Sequence, residues 1–258
     1  MPAQGTLRNI YCLFFSLILL DPVRADEVNI AVASNFAAPI KMIIAEFEQQ
    51  TGHQTNLTLG ASGRFVAQIT HGAPFHVFLS ADRRKPKALG ASGIGLDASR
   101  FTYAIGGLAL WSAQEDFIKG NSKILKKGLF RKIAFANPRI APYGTATTEV
   151  LKSLGLYDAL SSKFVQGENI AQTYQFVATG NADLGFVSVS QVMRKGELLA
   201  GSIWIIPQNM HSPIRQDAIL LKSAENNHAA LAFMAYLKSG QARNIMRDFG
   251  YRLPTEKE

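Results

Sequence analysis

The chain has 258 residues, of which 47% are hydrophobic and 18% are charged. This balance is typical of a globular protein and excludes disordered and fibrous classes. The formal net charge of +8 leaves an anionic partner open, whereas a single cysteine excludes a disulfide scaffold and a cysteine-built zinc or iron–sulfur site.

The N-terminal segment has the pattern of a secretory signal peptide. Arg8 gives a weakly positive start, residues 10–20 (IYCLFFSLILL) are almost all apolar, and Val23-Arg24-Ala25 ends in a small residue. The apolar run is far shorter than the roughly 20 residues that cross a bilayer, which favours a signal peptide over a membrane helix. We predict that residues 1–25 are removed by cleavage after Ala25 and that the mature chain is exported.

Strand and helix patterns then alternate along the chain. Residues 28–33 form a strand pattern, Ser34-Asn35 is a helix start signal, and apolar residues at helical spacing lead to Gly52 as a C-terminal cap. Residues 55–59 form the next strand, after which Ser62 is predicted to cap a helix. A third strand at 75–79 also leads into a helix. Strands that alternate with helices predict an α/β fold with a largely parallel sheet.

The alternation restarts after an apolar stretch at 100–111. The later patterns are a strand at 132–136, a loop at 137–144, a helix at 147–154, a helix that begins at Asn169, strands at 184–187, 203–206 and 217–221, and a helix at 228–237. Two such blocks predict two lobes, with chain crossings near 108–111 and 209–217. We predict a first lobe of residues 26–108 plus 212–258 and a second lobe of residues 109–211.

Short hydrogen-bond donors stand at several predicted helix starts. Ser34-Asn35 and Ser62 follow predicted strands, and the 141–145 loop and Asn169-Ile170 precede predicted helices. Ligands of open α/β sheets bind beyond the C-terminal strand ends, where helix N-termini offer free N–H donors and about half a positive charge. Each of these residues alone is also an ordinary helix cap. Their recurrence in both blocks predicts a cluster of neutral donors for a small oxyanion.

Five segments together resemble the periplasmic molybdate-binding proteins of ABC transporters, a family within the type II solute-binding proteins. They are AVASNFAAPIKMIIAEFEQQTGH (31–53), LGASGRFVAQITHGAPFHVFLSAD (59–82), IAFANPRIAPYGTATTEVLKSLGLYDAL (133–160), GENIAQTYQFVATGNADLGFVSVS (167–190) and AFMAYLKSGQARNIMRDFGY (232–251). The resemblance covers nearly the whole mature chain. It implies the two-lobed type II periplasmic binding protein fold, an α/β fold in which each lobe is a mostly parallel sheet flanked by helices.

The resemblance also implies roles for individual residues. Ser34 and Ser62 would donate side-chain and backbone hydrogen bonds from the first lobe, and the adjacent Asn35 would add a donor. Tyr143, where many relatives have Ala, and Ile170, where they have Val, would each give a backbone N–H. We expect molybdate or tungstate as the ligand, no cofactor, no directly coordinated metal, the permease of an ABC transporter as partner, and a monomer.

Three positions depart from the family pattern. Ser188 stands where the family often has a Tyr whose hydroxyl reaches the ion, and its side chain is too short to reach equally far. Tyr143 offers a hydroxyl from another direction, and the pair Asn35 and Tyr143 resembles a minority variant of the family site. His76 replaces the usual Asp in the segment APFHVF, which bears on the local hydrogen bonding there.

Neutral donors suit a buried oxyanion. Moving a bare dianion into a low-dielectric interior costs on the order of tens of kcal/mol unless its hydration is replaced. Oriented hydroxyls and helix N–H groups replace it without placing a cation beside the ion. Donor-only contacts also disfavour a protonated phosphate, whose hydroxyl needs an acceptor. We expect size to separate molybdate from the smaller sulfate, and tungstate to bind comparably.

Other classes fit the sequence less well, and we expect a binding protein and not an enzyme. The chain has no GxSxG motif, although a secreted hydrolase whose triad residues are distant in sequence stays open. His71 and His76 do not match HExxH, and Tyr174 and Tyr236 do not form the tyrosine pair of a ferric site. The basic runs are too short for nucleic-acid binding. Sulfate binding, which differs by pocket volume, is the nearest alternative.

Overall fold

A computed structural model describes residues 26–255, so the predicted signal peptide and residues 256–258 lie outside the described residues. The described strands are β1 (Glu27–Ala33), β2 (Gln54–Gly60), β3 (Val77–Leu79), β4 (Phe101–Gly106), β5 (Leu108–Ser112), β6 (Ile133–Ala136), β7 (Phe164–Gly167), β8 (Leu184–Ser188), β9 (Met193–Arg194), β10 (Glu197–Leu198), β11 (Ser202–Ile205) and β12 (Ile214–Leu220). The α-helices of the same residues are α1 (Ala37–Thr51), α2 (Ser62–Thr70), α3 (Arg84–Ala91), α4 (Lys123–Lys127), α5 (Pro142–Ser153), α6 (Ile170–Ala178), α7 (Val189–Val192), α8 (His228–Tyr236) and α9 (Gly240–Asp248). None of these helices has the length and apolar character needed to cross a membrane.

Ten of the described strands form two mixed sheets of five. The first sheet has the order β2-β1-β3-β12-β4 and the second has the order β11-β5-β8-β6-β7, while β9 and β10 form a separate hairpin. In each sheet one strand, β12 or β5, is antiparallel to both neighbours, and the other four run in a common direction. The predicted α/β fold with mostly parallel sheets is confirmed. We call the first sheet with its helices the first half, and the second sheet with its helices the second half.

The apolar character of β1 follows from burial on both of its faces. Val28, Ile30 and Val32 belong to the cluster that includes residues of α1, α8 and α9. The intervening Ala31 faces the opposite cluster, which includes Phe65 of α2. A parallel strand covered on both faces reads as a continuous apolar run, and successive side chains alternate between the faces. This alternation fixes the register of the strand. Because β1 ends at Ala33, the residues that follow lie at the C-terminal ends of the parallel strands.

Two predicted helix starts are wrong. Ala61, not Ser62, is the N-cap residue of α2, and Ser62 is the first residue of the helix. The helix predicted to start at 147 begins at Pro142, so the preceding loop ends at 141. Proline suits a first helical position because its φ is already helical and its missing N–H would have had no partner there. The prediction also missed β7, a four-residue strand that pairs with β6.

Other boundary predictions are confirmed. Gly52 ends α1 with a φ of 73°, the left-handed conformation that glycine adopts without steric cost. Asn169 is the N-cap of α6, where its side-chain oxygen accepts hydrogen bonds from the backbone N–H groups of Ala171 and Gln172. These caps set where the helices begin and end relative to the sheets.

Between residues 26 and 255 the chain passes from one sheet to the other twice. It leaves β4 through Gly107 and enters β5, and it returns from β11 to β12 through residues 206–213. Leu108 already pairs with Ser188 in the second sheet, so the predicted lobe boundary after residue 108 falls inside β5. The first crossing leads into β5 and the second leads into β12, and each of these strands is the antiparallel member of its sheet.

Candidate functional site

A small cavity with a free volume of about 10 Å³ lies between the two halves, at the ends of strands from both sheets. Its lining residues are Ala33, Ser34, Asn35, Gly60, Ala61, Ser62, Ala81, Ala141, Pro142, Tyr143, Asn169 and Ile170. Five of the six residues predicted from the sequence are among them, and the sixth, Ser188, is not. The fold thus brings together residues that lie up to 136 positions apart, from Ser34 to Ile170.

The first half contributes the hydroxyls of two serines. Ser34 follows β1 directly and opens a short 3-10 helix, Ser34–Phe36, and its hydroxyl makes no hydrogen bond within residues 26–255. Ser62 is fully buried, and its Oγ accepts a hydrogen bond from the backbone N–H of Ala81 at 3.0 Å. A hydroxyl can accept and donate at once. With its oxygen held by Ala81, Ser62 keeps its own proton available to donate.

The second half contributes helix N-termini. The first N–H groups of an α-helix have no partner inside the helix. In α5, Pro142 has no N–H and Gly144 donates to the carbonyl of Ala141, which leaves the N–H of Tyr143 as the open donor. In α6, the Asn169 cap engages the second and third N–H groups and leaves the N–H of Ile170 open. One backbone donor from each helix therefore stands at the cavity.

Asn35 lines the cavity, but its side-chain amide is committed elsewhere. Its Nδ2 donates to Oε1 of Gln216 at 2.8 Å and to Oη of Tyr251 at 2.9 Å. An amide nitrogen carries two protons, so both have partners within the protein. The second residue of the short helix also has no intrahelical partner for its backbone N–H. Asn35 therefore offers its backbone N–H at the cavity, and its amide orients the segment.

The hydroxyl of Tyr143 and the side chain of Ser188 lie together in a polar cluster next to the cavity. Ser188 Oγ donates to Tyr143 Oη at 3.0 Å, and Gln216 Nε2 donates to the same oxygen at 3.2 Å. Burial raises the pKa of the Tyr143 phenol well above its usual value, so the hydroxyl stays protonated at neutral pH. Ser188 therefore contacts the Tyr143 hydroxyl and does not itself line the cavity.

The cavity is electrically neutral in its side chains. All twelve lining residues are uncharged, and residues 26–255 contain no group of three or more His, Cys, Asp or Glu that could hold a metal ion. The polar groups at its wall are hydroxyls and N–H donors at helix N-termini, where the helix dipole is positive. This set of donors favours an anion and offers no carboxylate to a cation.

The two halves contact each other directly over the cavity. The backbone N–H of Gly63 in α2 donates to the carbonyl of Ile140 at 2.9 Å, and Arg64 forms an ion pair with Glu168. A Cβ atom at Gly63 would lie 2.9 Å from the Cα of Ile140, closer than real Cβ contacts allow. Glycine is therefore required where α2 meets the opposite half.

His76, which departs from the family pattern, lies away from this cavity. Its ring Nδ1 accepts a hydrogen bond from the backbone N–H of Asn29 at 3.1 Å, and the backbone N–H of His76 donates to the carbonyl of Asn29 at 2.8 Å. Desolvation by burial lowers the pKa of the imidazole, which favours the neutral form that can accept this bond. The histidine thus supports the packing of β1 and β3 and does not line the cavity.

Sequence reasoning missed the residues that surround the cavity on its inner side. Gln216, Tyr251, Ser190 and Tyr103 are buried and hydrogen-bonded to Asn35, Tyr143 or one another. One signal was available in the sequence IRQDAIL, because Arg215, Gln216 and Asp217 are successive polar residues in a strand whose other residues are apolar. Buried polar residues of this kind need partners, and that need points to a polar interior nearby.

Comparison with known proteins gives consistent results. The family model of the bacterial extracellular solute-binding proteins matches residues 28–252. The molybdate-binding protein ModA of Azotobacter vinelandii is 47% identical over 236 residues, which are 92% of this chain and 94% of the relative. A solved periplasmic molybdate-binding protein of Azotobacter vinelandii superposes with a TM-score of 0.86 at 40% identity, over 88% of this chain and 100% of that one.

A second solved structure extends the likeness. The substrate-binding domain of a putative molybdenum ABC transporter from Clostridium difficile has a TM-score of 0.67 at 28% identity, over 90% of this chain and 100% of that one. These relatives are binding proteins, which supports the expectation that the chain is not an enzyme. The fold, the neutral cavity between two sheets and these matches lead to one conclusion. The chain belongs to the family of bacterial extracellular solute-binding proteins.

Proposed function

We propose that this protein captures molybdate in the periplasm and delivers it to the permease of an ABC transporter. The observation that carries the proposal is the buried, uncharged cavity at which hydroxyls and open helix N–H groups converge from both halves. The specific anion follows from the relatives, since the molybdate-binding protein of Azotobacter vinelandii shares 47% of its residues over almost its whole length. Geometry supplies the class of ligand, and similarity supplies its identity.

The proposed ligand contacts are donated by neutral groups only. Ser34 and Ser62 would donate through their hydroxyls, and Asn35, Tyr143 and Ile170 through backbone N–H groups. Together they replace the hydration of the ion with dipoles that are already oriented, which avoids a large reorganisation on binding. The molybdenum would be held as an oxyanion, through its oxygens, without direct coordination by the protein.

Selectivity in this proposal has two physical sources. Donor-only contacts disfavour an anion that carries a proton, because its hydroxyl would face another donor. Contact between the halves at Gly63 and Ile140 limits the size of the cavity, so an anion of the wrong radius leaves some donors out of reach. Tungstate, with nearly the size of molybdate, would bind comparably, and the smaller sulfate would bind less tightly.

The remaining predictions extend this proposal to the whole chain. Residues 1–25 would be the export signal, cleaved after Ala25. The first lobe would comprise residues 26–108 plus 212–258, and the second lobe residues 109–211, with the crossings at β4–β5 and β11–β12 as the hinge. The protein would act as a monomer that presents the loaded cleft to its permease.

Calorimetric titration of the purified mature chain, residues 26–258, tests the proposal. Molybdate, tungstate, sulfate and phosphate are titrated under identical buffer and salt, because salt screens the attraction of anions to a basic protein. We expect tight one-to-one binding of molybdate and tungstate, and binding of sulfate and phosphate weaker by at least roughly a hundredfold. Equal affinity for sulfate would assign the site to another oxyanion, and no binding of any of the four would refute the proposal.

A further inference from the structure

A second polar cluster adjoins the ion cavity on the side of the chain crossings. It consists of seven uncharged side chains, none more than 4% exposed, which we call the buried network: Asn35, Tyr103, Tyr143, Ser188, Ser190, Gln216 and Tyr251. Hydrogen bonds join each member to at least one other. Desolvation by burial raises the pKa of each of the three tyrosines, so the whole network is neutral at physiological pH.

Three of these hydrogen bonds cross from one half of the molecule to the other. Ser190 Oγ donates to the backbone carbonyl of Asn35 at 2.8 Å, and Gln216 Nε2 donates to Tyr143 Oη at 3.2 Å. Tyr251 Oη lies 3.0 Å from Ser190 Oγ. Asn35, Gln216 and Tyr251 belong to the first half, whereas Tyr143 and Ser190 belong to the second. Such bonds can form only while the two halves are in contact.

Two residues belong to both the cavity and the network. Asn35 and Tyr143 line the cavity, and each also accepts a hydrogen bond that crosses between the halves, through its carbonyl or its hydroxyl. The backbone N–H groups that these residues offer at the cavity are therefore in place when the crossing bonds are made. Ion binding and network formation favour the same arrangement of the two halves.

We propose that the buried network is a closure latch, in which Ser190 and the Tyr143 hydroxyl hold the two halves together and so prolong retention of the ion. This inference rests on the proposed function and adds two hydroxyls, those of Ser190 and Tyr143, that position the halves without touching the ligand. The ion leaves only after the halves separate, and separation breaks the three crossing bonds. Water replaces them in the open state, so the latch shifts the balance of open and closed forms without making closure irreversible.

The test compares Ser190→Ala with a matched control, Ser112→Ala. Ser112 is also a fully buried serine, and its hydroxyl donates to the carbonyl of Asp183 at 2.6 Å, but both residues lie in the second half. We expect Ser190→Ala to weaken molybdate affinity by roughly tenfold, mainly through faster dissociation, because it removes the hydroxyl that makes two of the three crossing bonds. Ser112→Ala should lower thermal stability and leave affinity within about twofold.

A distance measurement provides a readout that a merely structural role would not move. The mature chain has no cysteine, so spin labels can be placed on Lys87→Cys in α3 and Lys152→Cys in α5, one exposed position on each half. In the absence of ion, we expect a smaller closed fraction in Ser190→Ala than in the parent or in Ser112→Ala. Identical distance distributions and identical affinities for Ser190→Ala and Ser112→Ala would overturn the latch.

A second variant keeps the test decisive if Ser190→Ala does not fold. Tyr143→Phe removes the hydroxyl that accepts from Gln216 and retains the backbone N–H at the cavity. It should shift the distance distribution in the same direction and weaken binding by roughly fivefold to tenfold. Failure of the parent to bind molybdate would refute the proposed function alone, because the distances in the ion-free protein still report whether the network holds the halves together.

Discussion

The ion cavity and the buried network are built from the same kinds of uncharged groups, yet they differ in whether those groups have partners. In the network, Gln216 donates to Tyr143 and accepts from Asn35 and Tyr103, so both ends of its amide are satisfied. At the cavity, the hydroxyl of Ser34 has no partner within residues 26–255, and Ser62 keeps a proton to donate. A set of donors left without partners at one cavity marks a place for a ligand.

The difference is energetic as well as geometric. A buried donor without a partner costs roughly 1–3 kcal/mol, and natural proteins keep such groups few. Several of them around one cavity are tolerable only if a ligand or solvent satisfies them, which makes the cavity ready for an anion. The donors of the network pair with acceptors inside the protein, so the network stabilises the folded structure. Removing a group should affect affinity in the first region and stability or closure in the second.

The largest expected effect comes from preventing contact between the halves over the cavity. In Gly63→Ala the new methyl group would lie 2.9 Å from the Cα of Ile140, a backbone atom that cannot move aside cheaply. We expect molybdate affinity to fall by about 3 kcal/mol, or roughly 150-fold, because overpacking at this contact keeps the cavity open. Calorimetry measures the affinity. Gly240→Ala is the control, since its new methyl group meets nothing within 4 Å.

The next effect in size comes from removing one cavity donor. Ser62→Ala deletes a hydroxyl that would donate to a charged oxygen, and we expect a loss of about 2 kcal/mol in binding free energy, or roughly 30-fold in affinity. Ser153→Ala, which removes a hydroxyl bonded to Val150 at the far end of α5, should bind as the parent does. An unchanged affinity in Ser62→Ala would remove this serine from the ligand contacts and blur the distinction between the two regions.

The same contrast explains what could be read from the sequence. The cavity residues carry a local signal, because Ser34 and Ser62 stand where a predicted strand gives way to a helix and Ile170 stands at the start of a predicted helix. Network contacts have no such signal: Asn35 meets Gln216 across 181 positions and Ser190 across 155. The periodicity of neither segment indicates which buried polar residues will form a pair. Pairings of this kind are decided by the packing of the two halves.

The fold shows a parallel division between local and non-local information. Alternating strands and helices were readable because β1 and its successors are short apolar runs bounded by turn residues. The start of α5 was placed too late, because Pro142 was assigned to a loop although it fits a first helical turn. β7 was missed because four residues, FVQG, show no clear period and form a strand through pairing with β6.

The smallest expected effect is on stability, and it tests the network side of the comparison. Tyr103 Oη donates to Gln216 Oε1 at 2.9 Å, and both residues lie in the first half, so Tyr103→Phe should reduce the free energy of unfolding by about 1 kcal/mol at pH 8.

Burial raises the pKa of Tyr103 well above its usual value, whereas the unfolded chain loses this proton near pH 10. Above that pH the unfolded state binds fewer protons than the folded state, so the parent loses stability as the pH rises. The difference between parent and Tyr103→Phe should therefore be constant from pH 7 to 9 and shrink above about pH 10. Urea unfolding at each pH measures it, with the variant Tyr157→Phe, at a partly buried tyrosine outside the network, as the reference for losing a tyrosine hydroxyl. A difference that stays constant up to pH 11 would mean that this phenol is open to solvent, and that the network is less well sealed than the cavity beside it.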